Sequence, residues 1–471
     1  MFKAHHVALV NFGCRKEVRT KMIEATKRLA HLSTGIRYRD FPQEAVQKGK
    51  ECILDTLGCM LAGSKEAEGA IMLKYVEETG GKPEATIVGF GHKTSAPHAA
   101  LVNGTLAHAL DFDDSQDSLM GHPSGVILPS ALSAGEKVRS SGEAVLEAFM
   151  VGFEVACKIG RGVNPQLYNN GWHATSVIGA LGAGVTAGKL LGLNAGEMAF
   201  ALALAASQAC GLRENFGTMT KPFHAGRAAE SGVISALLVK NGFTASPQIL
   251  EAKSGFCAAF SGQYDLNRIV DNFGNPFEIL SPGVRLKPYP SCLETHSIIE
   301  STLFLVESHD IHPEAVESVE CGLSPLASDI LIHKNPQTGL QGKFSAQYAV
   351  ATALVYRKAS IEQFTDKGVQ DSRAQAMIQK VKTVVHHEME KTPQSSVVTI
   401  RLKDGKEFSK RTDTTTGHPE KPMSQDQIID KYSNCADSVI SKDKIQKSIG
   451  KILDLEKLSG IDELIALTVR G

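Results

Sequence analysis

The chain has 471 residues, enough for roughly two to four domains, and its 50 Lys and Arg residues balance 51 Asp and Glu residues. This near-zero net charge excludes a broad electrostatic attraction to nucleic acid or to an anionic membrane, so a charged ligand must be bound by a local cluster. The 42% hydrophobic fraction, with a single Trp, is typical of a globular protein with an aliphatic, Ala- and Gly-rich core.

The start of the chain and the pattern of its cysteines predict the cellular compartment of the protein. The opening stretch "MFKAHHVALVNFGC" is too polar for a secretory signal. The longest run of small residues, 176–193, contains Lys189 and five glycines, whereas a membrane span would be more apolar. The nine cysteines form no C-x-x-C pair and indicate buried free thiols in a reducing compartment. We therefore expect a cytoplasmic protein that binds neither membrane nor nucleic acid.

The first 270 residues have a sequence pattern that predicts mainly helices separated by Gly and Pro. Apolar residues recur at helical spacing in 42–63 and again in 141–162. The stretch 175–193, "TSVIGALGAGVTAGKLLGL", is followed by a second small-residue helix for which Asn194 is a suitable N-cap. Gly and Ala on these helices allow close approach of their axes, so we expect a tightly packed all-helical domain.

The pattern changes after about residue 280. "PGVRLKPYPS" predicts an extended segment, "AVESVECGLS" a strand, and "SVVTIRLKDGKEFSKRTD" a hairpin with an Asp-Gly turn. Helical stretches lie between them, near 345–357 and 372–384, and helical patterns return in the tail. We expect a mainly α protein: a large all-helical domain formed by 1–283 and 417–471, with a smaller α+β domain, 284–416, inserted between them.

An acidic stretch, "DFDDSQDSLMGHPSG" at 111–125, is the first candidate site. It lacks the ligand order of a calcium loop and the paired His or Cys of a zinc site. A metal loop is therefore the least favoured of three interpretations; the other two are a structural loop whose aspartates accept backbone hydrogen bonds, and a site for acid–base or substrate-orienting chemistry. The last of these is favoured because Pro123 suits a first helical turn, which places His122 at a helix N-terminus, where anions bind.

Three further clusters carry basic residues. His173 precedes the Gly/Ala helix, and a structural role is a common one for such a histidine. Lys221, His224 and Arg227 are spaced three apart at a helix start, so they lie roughly on one side. Arg285 and Lys287 share one face if their segment is extended. A solvated charged surface is the alternative for each cluster.

Motifs for nucleotide binding and for serine hydrolysis are absent. "AGVTAGKL" departs from a phosphate-binding loop at Ala183 and Leu190, and "GAGVTA" lies inside a helical run with no strand before it. No G-x-S-x-G elbow occurs. A pocket with cations, two histidines and an aspartate, and with neither metal nor nucleotide, suits a small di- or tricarboxylate whose proton is exchanged by histidine.

The chain resembles the MmgE/PrpD family from about residue 42 to its C-terminus; its first ~35 residues are not covered. The resemblance rests on these stretches, in this order: "ILDTLGCMLAG", "LVNGTLAHALDFDD", "GHPSGVILPS", "NNGWHATSVIGALGAGVTAGKLLGL", "TKPFHAGRAAESG" and "RLKPYPSC". The family includes 2-methylcitrate dehydratase, cis-aconitate decarboxylase and iminodisuccinate epimerase. The resemblance implies that the α+β insert is a lid, that the protein is a homodimer, and that its site between the domains needs no cofactor.

The resemblance also implies roles for individual residues. Asp111, His122 and His173 resemble the catalytic aspartate and histidines of the decarboxylases. Lys221, Lys287 and Ser115 fall at substrate-binding positions, and we add His224 and Arg227 from their spacing.

Two kinds of departure leave the reaction open. Cys292 replaces a decarboxylase His, and no Tyr lies between residues 289 and 348, where the decarboxylase has a lid Tyr. "DFDDS" and "HPSGV" also differ from the dehydratase motifs. We expect a carbon–oxygen or carbon–carbon lyase acting on a di- or tricarboxylate; the alternatives are an epimerase of a dicarboxylate such as iminodisuccinate, and a non-catalytic carboxylate-binding protein.

Overall fold

The computed structural model describes residues 23–392 and 394–470 and is mainly α-helical, as the sequence predicts. The interpretation of residues 1–14, including the free thiol of Cys14, lies outside these ranges. The first part of the chain contains three two-residue strands, β1 (Ala85–Thr86), β2 (Lys93–Thr94) and β3 (Ser115–Gln116). Its helices are α1 (Ala25–Gly35), α2 (Gln43–Gly63), α3 (Ala67–Thr79), α4 (Ala96–His108), α5 (Ser124–Val138), α6 (Gly142–Val163), α7 (Gln166–Asn169), α8 (Ala174–Val177), α9 (Gly179–Leu190), α10 (Ala195–Ser207), α11 (Thr220–Lys240), α12 (Phe256–Phe260) and α13 (Leu266–Val270).

The core of this part is a set of closely packed helices. α11 packs along α4 and α9, and α5 packs against α4 and α9. The approach of α4 to α11 depends on glycine, because a Cβ atom at Gly104 would lie 2.7 Å from the Cα atom of Gly226. α1 packs against α10 and α13. The fold therefore begins before residue 36, earlier than the resemblance indicated.

The middle of the chain contains a four-stranded sheet. The short strand β4 (Val284–Arg285) precedes this sheet in the chain and is not part of it; β4 pairs instead with β3 of the helical part. The sheet order is β6–β5–β7–β8, with β5 parallel to β6 and antiparallel to β7. Its elements are β5 (Val316–Leu323), β6 (Val381–Val385), β7 (Ser396–Leu402) and β8 (Glu407–Thr412), and the intervening helices are α14 (His296–His309), α15 (Pro325–Ile330), α16 (Gly339–Gly342), α17 (Ala346–Tyr356), α18 (Asp366–Gln370) and α19 (Ser372–Ile378).

The sequence prediction for this region is confirmed in two places and wrong in a third. β5 matches the predicted strand, and β7 and β8 form the predicted hairpin around Gly405, whose φ of 86° suits glycine. The helix predicted over 372–384 instead ends at Ile378 and continues into β6. Valines on the stretch "VKTVV" favour a strand, and β5 supplies an edge with which it pairs.

The tail returns to the first helices. It forms α20 (Gln425–Ala436), α21 (Lys442–Leu453) and α22 (Asp462–Ile465), and α20 packs against α2. The buried ammonium group of Lys431 lies 2.6 Å from the Asp55 carboxylate of α2 and donates to the carbonyl of Phe112 at 2.6 Å. Both ends of the chain thus contribute to one helical body. In residues 23–392 and 394–470, no helix combines the length and apolarity that crossing a bilayer requires.

Candidate active site

The acidic stretch forms a buried loop between α4 and α5. The loop turns at Asp111, which has a φ of 50°. Asp111, Asp113 and Asp114 are all buried, whereas Asp117 reaches outward and forms a two-point ion pair with Arg285 at 2.8 and 3.1 Å. The three buried carboxyl groups avoid mutual repulsion because each has a different set of partners.

Asp111 is bound by two lysines. Its Oδ1 atom lies 3.1 Å from Lys221 Nζ, on the first turn of α11, and 2.8 Å from Lys287 Nζ, just after β4. Lys287 also donates to the Asp111 carbonyl at 2.9 Å. Burial alone would raise the pKa of the Asp111 carboxyl, but the two ammonium groups hold that pKa well below its ordinary value. Asp111 is therefore ionised, and a single carboxylate is shared by two cations.

Asp113 pairs with a histidine that the sequence interpretation did not single out. His108, the last residue of α4, donates through Nδ1 to the Asp113 carboxylate at 2.9 Å. Its Nε2 atom lies 2.7 Å from Lys221 Nζ and accepts a hydrogen bond from it. Burial would raise the pKa of Asp113, but His108 and His122 lower it to about 2. Burial, aided by Lys221, lowers the pKa of His108, which is therefore neutral.

Asp114 is the structural member of the group. Its carboxyl group accepts the backbone N–H of Ser124 at 3.1 Å and the Ser124 hydroxyl at 2.5 Å, so it caps the start of α5. Burial raises the pKa of Asp114 to about 8. The capping interpretation of the acidic stretch therefore applies to Asp114, and the acid–base interpretation stays a prediction for the other aspartates.

His122 presents a basic nitrogen to the cavity. It lies next to Pro123 at the start of α5, the helix N-terminus that the sequence predicts. Its Nδ1 atom lies 2.7 Å from the Asp114 carbonyl and must donate to it, which leaves Nε2 without a proton and 3.6 Å from Asp111 Oδ1. Burial is the main cause that lowers the pKa of His122 well below its ordinary value, and Lys287 adds to it. The neutral ring is a candidate proton acceptor.

His173 and His224 form a second histidine pair. His173 precedes α8, and its Nδ1 atom lies 3.1 Å from Nδ1 of His224, on α11. Because two Nδ1 atoms face each other, one of them carries the proton and the other accepts it. Burial lowers the pKa of His173 well below its ordinary value and that of His224 to about 4. The ring centroid of His108 lies 4.5 Å from that of His122 and 5.8 Å from that of His173.

These groups border a cavity of about 580 Å³ between the helical part and the segments at 285–294, 326–344 and 391–420. Asp111, Ser115, His122, His173, Lys221 and Lys287 all line it, and so do Tyr168, Cys292 and Glu294. His224 lies behind His173 and is not part of the lining. The structure does not bring Arg227 to the cavity, because its guanidinium group turns to Glu230 at 2.6 Å.

The polar groups of the lining extend beyond the predicted residues. The Ser115 hydroxyl is buried without a hydrogen-bond partner among the described residues. Tyr168 adds a tyrosine from the helical part, although no tyrosine lies between residues 289 and 348. Cys292 donates from its thiol to Glu294 at 2.8 Å, and burial, reinforced by the Glu294 carboxylate, raises the thiol pKa well above its ordinary value. Of the described cysteines, seven are buried as predicted and Cys210 is exposed.

Four groups of the site have the chemical types of metal ligands. His108, Asp111, Asp113 and His122 each offer one ligand atom, and these atoms lie within 4.8 Å of one another. Their hydrogen bonds oppose a cation, because both nitrogens of His108 are engaged and the single charge of Asp111 is already shared by two ammonium groups. The set therefore fits a divalent metal poorly, and metal independence stays a prediction.

Known proteins resemble the chain over nearly all of this architecture. Residues 27–269 match the MmgE/PrpD N-terminal domain, and residues 289–455 match the MmgE/PrpD C-terminal domain. The chain is 26% identical to a cis-aconitate decarboxylase of Aspergillus terreus, over 94% of this chain and 95% of that protein. It is 27% identical to the cis-aconitate decarboxylase of Mus musculus, over 94% and 92%. It is 26% identical to the 2-methylcitrate dehydratase of Salmonella typhimurium, over 76% and 78%.

Proposed function

The chain belongs to the MmgE/PrpD family, and we propose that it is a lyase acting on a small di- or tricarboxylate by acid–base chemistry that needs no cofactor. The observation that carries this proposal is the unprotonated Nε2 atom of His122, which faces a cavity beside two lysines that share one carboxylate. The named relatives are a decarboxylase and a dehydratase, which favours a lyase over an isomerase.

The charges around Asp111 favour a carboxylate ligand. Lys221 and Lys287 carry two positive charges, and Asp111 neutralises only one of them. A substrate carboxylate can therefore bind the second charge without displacing Asp111. The Ser115 hydroxyl, which has no hydrogen-bond partner among the described residues, lines the same cavity and can donate a further hydrogen bond.

Both candidate reactions need the same groups. In a decarboxylation, the bond from carbon to a carboxylate breaks, carbon dioxide leaves, and the electron pair stays on carbon until a proton is added. In a dehydration, a base removes a proton from a carbon beside a carboxylate, and hydroxide leaves with a proton from an acid. In each, negative charge develops beside a remaining carboxylate, where the ammonium groups of Lys221 and Lys287 stabilise it.

His122 can serve either direction of proton transfer. The lowered pKa of His122 keeps its ring neutral, as the base of a dehydration must be. A bound polycarboxylate adds negative charge and raises the histidine pKa, so an imidazolium proton becomes available for the carbanion of a decarboxylation. His173, whose ring stacks on that of His108, is the second proton-transfer group. Its hydrogen bond with His224 determines which of its nitrogens carries a proton.

The test is turnover of a panel of carboxylates in deuterium oxide, followed by NMR. We expect a new product with loss of carbon dioxide or water from cis-aconitate, 2-methylcitrate or a related acid. His122→Ala should abolish it, whereas His312→Ala, which changes a histidine whose side chain is 67% exposed, should not.

The alternative functions predict other results in the same experiment. Deuterium exchange or inversion of a dicarboxylate such as iminodisuccinate without net loss would indicate an epimerase. Ligand-induced thermal stabilisation without any exchange would indicate a carboxylate-binding protein. Either result would overturn the lyase proposal.

A further inference from the structure

Glu294 is a carboxylate in the wall of a cavity that is proposed to bind carboxylates. It follows Cys292 in the segment that leads from β4 to α14, and its residue exposure is 9%. Its Oε2 atom accepts the Cys292 thiol at 2.8 Å, and both residues line the cavity with Tyr168 and Lys287. The loop that carries it is held in place, because the Cys292 N–H donates to the Lys343 carbonyl at 3.0 Å.

The other acidic groups of the lining are balanced by cations. Asp111 is paired with Lys221 and Lys287, Asp117 with Arg285, and Asp413 with Arg411 at 2.8 Å. Glu420 lies at the rim with 78% of its side chain exposed. Among residues 23–392 and 394–470, no Lys, Arg or His nitrogen lies within 4.0 Å of a Glu294 oxygen. The partner of Glu294 is a thiol, and the raised pKa of that thiol keeps it neutral.

The cavity therefore has two chemically different regions. The region around Asp111 carries a surplus positive charge from Lys221 and Lys287. The region around Glu294 carries an uncompensated carboxylate with acceptor capacity left over after the Cys292 bond. A second anion there would face like-charge repulsion in a buried site, whereas a hydrogen-bond donor would form a charge-assisted bond.

We propose that Glu294 makes the site selective for a carboxylate substrate that presents a hydrogen-bond donor, a hydroxyl or protonated amino group, toward the Cys292–Glu294 wall. The inference rests on the proposed function, since it concerns the same cavity and the same class of substrate. It narrows that class: a hydroxy- or amino-carboxylate should be preferred over an otherwise equal acid that lacks the donor, and a further carboxylate in its place should be disfavoured.

The test compares ligands that differ by one group. Malate and succinate differ by a hydroxyl, and tricarballylate and glutarate by a carboxylate. Affinities are measured by calorimetry for the unaltered protein, for Glu294→Gln, and for the matched control Glu362→Gln, which changes a glutamate with 76% side-chain exposure. Gln preserves the shape of the side chain and removes its charge.

We expect the unaltered protein and the control to bind malate about 10- to 100-fold more tightly than succinate, the range for a hydrogen bond to a charged group. Both should bind glutarate more tightly than tricarballylate. In Glu294→Gln, both preferences should shrink by about 10-fold or more, with affinity for tricarballylate increasing. Even where the variant fails to fold, equal affinity of the unaltered protein for malate and succinate would overturn the role of Glu294.

Other results would separate the inference from the function on which it rests. Equal affinity for malate and succinate, or unchanged preferences in a folded Glu294→Gln, would overturn the role of Glu294 while leaving a carboxylate site. Binding of none of the four acids, together with no turnover of the wider panel, would overturn the proposed function and the inference with it.

Discussion

Replacement of Asp111 by Asn tests the charge arrangement at the centre of the site. The side chains of Lys221 and Lys287 are 5% and 1% exposed, so removal of their counter-ion leaves two largely desolvated ammonium groups without it. Coulomb's law with an effective dielectric constant of about 20 gives an attraction of about 5 to 6 kcal/mol for each contact with Asp111. Loss of solvation offsets much of this attraction, and removal of one partner from a buried pair costs about 3 to 5 kcal/mol.

We therefore expect Asp111→Asn to lower the free energy of unfolding by about 3 to 5 kcal/mol, measured by urea denaturation at pH 7. The loss should depend on pH in a defined direction. Burial acts to lower the pKa of the Lys287 ammonium, and Asp111 is the first of the groups that raise it above its ordinary value, so removal of Asp111 moves that pKa downward. Below the ordinary lysine pKa the unfolded chain carries the Lys287 charge freely, whereas the folded variant disfavours it. The loss of unfolding free energy in Asp111→Asn should therefore become smaller as the pH rises toward that pKa.

A double variant separates the ion pair from local packing. Asp111→Asn combined with Lys287→Met removes one of the two cations as well as the carboxylate, and should regain part of the lost stability. The reasoning is refuted if Asp111→Asn costs less than about 1 kcal/mol, a value typical of exposed pairs, or if the second change adds its full cost to the first.

Four further predictions concern catalysis, metal, architecture and assembly. His122→Ala and His173→Ala should remain folded and lose about 100- to 10,000-fold in turnover, whereas near-parental rates in both would place proton transfer elsewhere. Prolonged chelation should change neither activity nor melting temperature, and recovery by one divalent ion of activity lost to the chelator would contradict metal independence. A fragment of residues 1–283 should fail to fold, because it lacks α20 and its buried Lys431; a soluble fragment that melts cooperatively would disprove this. Light scattering should give the mass of a homodimer, and a monomer at micromolar concentration would refute that expectation.

The sequence predicted the groups of the site better than their pairing. Asp111, His122, His173, Lys221 and Lys287 all line one cavity, as their chemistry and the family resemblance led us to expect. The contacts of Lys221 and Lys287 with Asp111 join residues that are 110 and 176 positions apart, and sequence spacing cannot reveal such tertiary contacts. The sequence predicts substrate carboxylates as the partners of Lys221 and Lys287, and the structure shows that both lysines contact the carboxylate of Asp111.

His108 and Arg227 show how prediction from sequence fails without tertiary contacts: His108 belongs to the site but was not predicted, and Arg227 was predicted but does not reach the cavity. His108 lies at the end of an apolar helix, where a buried structural histidine is expected, and its contact with Lys221 depends on how α4 meets α11. Arg227 has the i, i+3 spacing from His224 that suggested a shared side. Its guanidinium group instead forms an ion pair with Glu230, one turn later on the same helix, and this local contact holds it away from the cavity.

The small residues of the helical part explain how these contacts form. Gly104 lies one turn before His108, and Gly226 lies about one turn after Lys221, so their close approach sits directly beside the hydrogen bond between those two side chains. A Cβ atom at Gly226 would lie 2.1 Å from the Leu101 carbonyl oxygen, so any larger residue there forces α4 and α11 apart. The contact from His108 to Lys221 is only 2.7 Å and the one from Lys221 to Asp111 is 3.1 Å, so a separation of 1 Å breaks both. The close approach of Gly104 and Gly226, which were not singled out from the sequence, thus helps to set the geometry of the site, and the tight helical core and the candidate proton-transfer groups are parts of one structure.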